Sequence, residues 1–365
     1  MDYRSTRAFK FWERWEHHFG VGALAVGFVF DLVIADRPDS LTNNLLLLSY
    51  LFIAGALIII LNLREMQRLE AAHSTEPFFL LLVLQFCFGG LASNLLVLYG
   101  RSGTLAGSAV FLGLLVLLIF GNEYLRSRYA LLRFNVAMYY FLLLSYCVIA
   151  VPTFIFRSIG VQVFLASGVI SLFLISAFLA ALFFTVFRGR DTKALKSVSA
   201  IVVGIFLFFN LLYFINVIPP VPLSLKNVGM YHSILPRSGG DYVALYEPVR
   251  WWNFWRDTNA RYTLTGAKSA FCFSSVFAPS DLKTPIFHRW EKYDTAAGEW
   301  KSVSRVSFPI NGGRAQGYRG WSVKSALTPG QWRCDVETES GALIGRIGFT
   351  IVESASAPTL SQKTL

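Results

Sequence analysis

Charge is what this sequence has least of. Only 15% of its 365 residues are Asp, Glu, Lys or Arg, and 54% are hydrophobic. A soluble domain carries about 25% charged residues, so the deficit excludes a chain that is soluble throughout. Catalytic signatures are missing as well. There is no Walker A loop, no dinucleotide fingerprint, no HExxH and no G-x-S-x-G elbow. Of the five histidines, His17 and His18 are adjacent and so cannot share a helix face, while His73, His232 and His288 stand apart. No metal site or cofactor is expected, and no reaction is spelled out. Residues 1–18 mix both charge signs and no A-x-A-like site follows the first apolar run, so no cleavable leader is expected.

What is present is apolar length. Seven runs near the ~20 residues that cross a bilayer fall at about 19–35, 44–62, 78–99, 105–120, 136–156, 161–187 and 198–217. They predict an α-helical membrane domain of seven transmembrane helices over residues 19–218. Before them, Phe9, Trp12, Trp15 and Phe19 recur three to four apart among charges, the pattern of a helix lying in the membrane interface. Segment 1–18 is read as that cytoplasmic element.

The connecting loops set the orientation. Arg4, Arg7, Lys10, Arg14, Arg64, Arg68, Arg126, Arg128, Arg133, Arg188, Arg190, Lys193 and Lys196 fall on one side, against Arg37, Arg101 and Arg157 on the other. Thirteen basic residues against three place the N-terminus in the cytoplasm. Seven crossings then put the C-terminal part outside, in the periplasm of a bacterium with an inner membrane. The same bias accounts for the net charge of +11 without nucleic acid as a partner.

Stretch 197–220, SVSAIVVGIFLFFNLLYFINVIPP, divides the chain. Beyond it, 219–240 opens with three prolines and reads as a linker, with room for one short strand. Residues 241–353 alternate: Trp332, Cys334 and Val336 share one face, Arg333, Asp335 and Glu337 the other, and Ile347, Phe349 and Ile351 repeat the pattern. Ser340-Gly341 is a hairpin turn between them. These signals predict an all-β antiparallel, Ig-like sandwich. Polar residues 354–365 read as a disordered tail.

His288-Arg-Trp290, Arg319-Gly-Trp321-Ser-Val-Lys324, Gly330-Gln-Trp332-Arg333, Gly341 and Phe349-Thr-Ile-Val352 occur in that order. The order resembles a bacterial domain-of-unknown-function family, number 2914, whose pattern runs His-x-Trp, Ser-x-Lys, Gly-x-Trp-x-Val, Gly, Phe-x-Val. The resemblance covers about 270–353 and departs at Cys334, where the family more often has Val. It implies an envelope domain fused to a multi-span membrane domain and implies no activity.

Candidate site residues follow from chemistry. The Gly-rich stretch 311–321 carries Arg314, Tyr318, Arg319 and Trp321, which suits an anion or a stacked sugar ring. Its bland counterpart is a long hairpin turn with solvated arginines. Seven of the nine tryptophans lie within residues 241–353. Trp290 and Trp332 sit at strand positions and read as core, and Trp251, Trp252 and Trp255 suit the membrane interface. Asp31 is the one acid embedded in an apolar run, a functional-site hypothesis against a snorkelling or ion-paired side chain. Cys87 and Cys147 lie in apolar runs as fillers. Cys272 and Cys334 lie in the exported part, where disulfides persist. Because Cys272 alternates with Phe271 and Phe273 while Cys334 alternates with core residues, the two can equally point to opposite faces, and the pairing stays open.

The resulting expectation is an inner-membrane protein whose outward β-sandwich binds an envelope glycan, lipid head group or protein, as a sensor or assembly factor. The alternative is a transporter or lipid-processing enzyme, with the sandwich as accessory and Asp31 at the site.

Overall fold

The computed structural model describes residues 35, 37–70, 78–124, 132–189, 191–237, 241–249, 258–265, 269–279, 282–314 and 316–365. The interfacial segment 1–18, nearly all of the first apolar run, Asp31 and Trp251, Trp252 and Trp255 lie outside these residues. The chain divides into a largely helical unit and a second unit, the β unit, that takes Gly100–Ala109, Ile155–Val163 and Asn216–Leu365, the last of these holding the strands.

The helical unit contains α1 (Leu41–Glu70), α2 (Phe78–Ser102), α3 (Leu105–Tyr124), α4 (Leu132–Ala150), α5 (Val161–Thr185) and α6 (Thr192–Phe214). Among the described residues five helical stretches are long and apolar enough to cross a membrane, and a sixth, Ser108–Ile119, is shorter. The expected count of seven is therefore not reached. Nearly all of the first run lies outside the described residues, and Ser108–Ile119 is the apolar stretch of the fourth that lies within them.

These helices are apolar nearly all round, so burial separates them. Residues of α4 are mostly buried, and it runs on into a π-helical turn at Val151–Phe156 that contains Pro152. The other helices leave Phe52, Phe79, Phe173 and Phe184 more than two-thirds exposed, a surface that suits lipid and not water. Polar side chains tie the bundle inside. Asn43 and Asn94 exchange amide hydrogen bonds of 3.2 and 2.7 Å. The Tyr146 hydroxyl donates to Asn44 Oδ1 and that of Tyr99 to the Ser145 carbonyl. The Asn210 amide donates to Phe206 O within its own helix.

The β unit holds β1 (Ser224–Tyr231), β2 (Ser233–Pro236), β3 (Tyr242–Tyr246), β4 (Arg261–Leu264), β5 (Ser269–Phe277), β6 (Lys283–Asp294), β7 (Glu299–Asn311), β8 (Tyr318–Ser325), β9 (Gly330–Thr338), β10 (Leu343–Glu353) and β11 (Ser361–Thr364). They form three sheets, ordered β1-β5-β8, β4-β10-β9-β6-β7 and β11-β3-β2. Pairing is antiparallel except between β10 and β4, which run parallel. The purely antiparallel two-sheet expectation is corrected on both counts.

Segment 219–240, read as a linker, supplies β1 and β2. Pro219, Pro220 and Pro222 precede the strands, Pro236 ends β2, and β1 pairs with β5 along most of its length. The tail is corrected too: Ser361 to Thr364 pair with Tyr246 to Val243 as an edge strand, so it is ordered there.

The third sheet explains the β5 alternation. Phe273 packs with Tyr231, Ile234 and Ala244 in a cluster that Phe271 and Trp321 also join. Ala270 and Cys272 turn the other way, into the core shared with Trp290, Trp332, Cys334, Ile347, Phe349 and Ile351. Both faces of this strand are apolar because both are covered.

Candidate functional site

The motif residues converge in the sandwich core. His288 on β6 is fully buried. Its Nε2 lies 2.7 Å from Ser274 Oγ on β5 and its Nδ1 lies 3.0 Å from Ser322 Oγ on β8. Trp290 Nε1 donates to the same Ser322 Oγ at 2.9 Å. Burial pushes the His288 pKa down to about 3, so the ring is neutral at ordinary pH. Beside it Cys272 and Cys334 form a disulfide, with Cα atoms 6.6 Å apart, between β5 and β9 and hence between two sheets. The ligand atoms of Cys272, His288 and Cys334 lie within 4.8 Å of one another. They do not offer a metal site as arranged, because the sulfurs are bonded to each other and both ring nitrogens are engaged by serines. The His, Trp and Ser of the motif therefore bind two sheets together rather than face a ligand.

The Gly-rich stretch is largely committed to structure. Arg319 Nη1 donates to Asp241 Oδ1 and its Nη2 to Gln316 Oε1, both at 3.0 Å. Trp321 meets Tyr242 edge-on at 4.8 Å between centroids, in the contact zone with the small sheet. Tyr318 packs on a core cluster. Arg314 is exposed, its guanidinium carbon 5.6 Å from the centre of the Tyr318 ring. The glycine at 312 is explained by crowding: a Cβ there would fall on the Pro279 carbonyl oxygen. Of the four expected ligand residues, Arg319, Trp321 and Tyr318 make contacts within the β unit, and Arg314 is exposed.

A second polar knot joins β4 to the small sheet. Glu247 Oε1 lies 3.1 Å from His232 Nε2 and accepts from the Thr263 backbone N–H at 2.5 Å, while Oε2 accepts from Thr263 Oγ1 at 3.3 Å. The His232 ring stacks on Tyr262 with centroids 4.2 Å apart. Burial lowers the His232 pKa, and the Glu247 carboxylate opposes that shift.

The arrangement with most chemistry on a surface is the outer face of the five-stranded sheet. Strand register aligns it. Asp335 on β9 pairs with Arg346 on β10 and with Arg289 on β6, and Arg289 pairs in turn with Arg305 on β7. One row thus reads Arg346, Asp335, Arg289, Arg305 across four strands. Arg333 and Glu291 pair in the next row.

Arg346 grips Asp335 with two bonds of 2.6 Å, and Arg289 Nη2 reaches the same carboxylate at 3.2 Å. Glu337 lies between Arg289 Nε at 3.1 Å and Arg305 Nε at 2.8 Å, relieving the direct Arg289–Arg305 opposition. Arg333 Nε pairs with Glu291. Arg305 stacks over Phe287 at 3.9 Å and Arg333 over Trp300 at 4.4 Å.

The layering is vertical. The side chains of Asp335, Glu337 and Glu291 are 0, 2 and 6% exposed, whereas those of Arg289, Arg346 and Arg305 are 32, 34 and 38% exposed. Desolvation raises the Glu337 pKa against the pull of Arg289 and Arg305. Carboxylates form the floor, and guanidiniums form the surface. Sequence reading had Arg333, Asp335 and Glu337 on one outward face. It missed the face as a site because its other members come from β6, β7 and β10, brought into line only by long-range register.

Residues 283–351 match the model of a family described as "Protein of unknown function (DUF2914)", which supports the C-terminal domain assignment. No curated protein matches the chain. Among solved structures, an immunoglobulin-like protein from Pseudomonas aeruginosa shares 8% identity at a TM-score of 0.22, over 36% of this chain and 98% of that one. A β-glucosidase from Listeria innocua shares 9% identity at a TM-score of 0.20, over 36% of this chain and 16% of that one. An alkylpurine DNA glycosylase from Pseudomonas fluorescens shares 11% identity at 0.20, over 86% of this chain and 99% of that one. Likenesses this low carry no argument about fold or function.

Proposed function

We propose that the chain is an inner-membrane protein of seven spans, with a cytoplasmic N-terminus, that holds its β unit in the periplasm to recognise an envelope component. The recognised component is a glycan, a lipid head group or a protein, and the protein acts as a sensor or assembly factor rather than as an enzyme. The observation that carries this reading is the Cys272–Cys334 bridge at the centre of the β unit, downstream of the apolar helices. Such bonds persist in oxidising compartments and are rare in the cytosol. The thirteen-to-three bias of basic loop residues supports the same orientation. Recognition is favoured over catalysis because the buried histidine is fixed between two hydroxyls, while the surface carries ordered arginines.

Reporter fusions test the orientation. A phosphatase that folds only outside the cytoplasm should be active when fused after Leu365 and inactive when fused after Glu70. Activity only at Glu70 would invert the protein and remove the periplasmic reading.

A further inference from the structure

From the outer face of the five-stranded sheet we infer a binding site for a ligand that carries two or more phosphate groups. The inference deepens the envelope-recognition reading and rests on it for the ligand's whereabouts, though not for its chemistry.

Three features of the face support it. First, the charge is sorted by depth. The acids lie in the floor and the guanidiniums above them, so an approaching anion meets donors before it meets like charge. Four arginines stand over three carboxylates, which leaves the face one positive charge in excess.

Second, the arginines are preorganised. Each is held from below by a carboxylate, and two are also held by an aromatic ring. The rotamer entropy that a free arginine loses on binding has already been lost on folding.

Third, donors remain. Arg346 uses Nε and Nη2 on Asp335, Arg289 uses Nη2 on Asp335 while its Nε stands 3.1 Å from Glu337 Oε2 as an ion pair without a hydrogen bond, Arg305 uses Nε on Glu337 and Nη2 on the Thr338 and Glu339 carbonyls, and Arg333 uses Nε on Glu291. Among the described residues none of the four Nη1 groups has a hydrogen-bond partner. Guanidinium forks fit phosphate oxygens.

Spacing sets the number of groups. Arg346, Arg289 and Arg305 stand in one row on β10, β6 and β7. At about 4.8 Å between neighbouring strands, the row spans roughly 14 Å. One phosphate covers one end of it, and a chain of phosphates covers the length. Sugar stacking is disfavoured on this face, because Arg305 lies over Phe287 and Arg333 over Trp300.

The test uses the full chain in nanodiscs of zwitterionic lipid, which supply no anionic head group. Tripolyphosphate, inorganic phosphate and citrate are titrated by calorimetry at low and moderate salt. Tripolyphosphate should bind saturably and more tightly than the other two, and more weakly as salt rises. Arg346→Gln and Arg305→Gln should each weaken it about tenfold, the loss of one charge-assisted contact. Arg305→Lys keeps the charge and loses the fork, and should recover only part of the affinity.

Thermal unfolding followed by tryptophan fluorescence checks that each variant is folded. Should a Gln variant fail that check, Arg305→Lys and the choice among the three anions still decide the matter. Absence of binding by the unaltered protein overturns the inference. So does binding unchanged in the Arg305 and Arg346 variants, or citrate binding as tightly as tripolyphosphate. None of these results alters the reporter-fusion outcome, so failure of the ligand class is distinguishable from failure of the periplasmic reading.

Discussion

Acid should loosen the β unit through His288. Its imidazole is neutral in the folded protein, buried between Ser274 and Ser322, with its pKa pushed down to about 3 by desolvation. In the unfolded chain the ordinary value is about 6.5. As pH falls, the unfolded chain takes up the proton first. The stability that His288 contributes is complete above pH 6.5 and is lost progressively toward pH 3. At pH 4.5, two units below the unfolded value, the loss is about 2.7 kcal/mol at 1.36 kcal/mol per unit. For a domain of this size that is a fall of roughly 5–10 °C in Tm.

The assay is thermal unfolding of the full chain in detergent at pH 7.5 and 4.5, followed by tryptophan fluorescence, beside His288→Gln. The glutamine amide can still bond a serine, but it cannot titrate. The variant should be less stable at pH 7.5 and should lose about 2.7 kcal/mol less on acidification. His232, whose pKa burial also lowers, is common to both proteins and cancels in the difference. An equal acid loss in the two proteins would refute the argument that burial holds His288 neutral.

Three further outcomes follow from the packing. Replacing Cys272 and Cys334 by Ser opens a loop with a sequence separation of 62, and should cost about 4 kcal/mol in chemical denaturation on the chain-entropy model. Asp335→Asn leaves Arg346 and Arg289 without the fully buried carboxylate between them, and should cost about 3 kcal/mol, the low end for a broken buried pair because both arginines are partly solvated. Gly312→Ala must displace the Pro279 carbonyl, and should cost about 1–3 kcal/mol, with the loss read as a lower Tm and not as a change in ligand preference.

The sequence shows which residues share a face wherever the period is local. Trp290 and Trp332 occupy inward strand positions and are buried, and Arg333, Asp335 and Glu337 lie outward together. It does not show which strands become neighbours. The Arg346–Asp335–Arg289–Arg305 row depends on three pairings among strands spread over dozens of residues, and no local period encodes that. Both faces of β5 are apolar because it is the middle strand of its sheet and a core cluster covers each face, so alternation alone left Cys272 without a direction. Polar Ser361 to Thr364 carry no burial signal because they form an edge strand held by backbone pairing. The glycines around 311–321 suggested a loop free to bind. At 312 the cause is close approach of the Pro279 carbonyl, and Arg319 and Trp321 are drawn into packing by residues far away in sequence.

The central claim, that the β unit folds in an oxidising compartment around its inter-sheet bridge, is tested most directly by counting thiols. Cells are quenched in acid, the full chain is denatured without reductant and alkylated, and its mass is measured. Four cysteines are present, and Cys87 and Cys147 are the free ones. Two alkylations, rising to four after reduction, are predicted. Four alkylations without reductant would mean that Cys272 and Cys334 are thiols in the cell, and would contradict the periplasmic assignment.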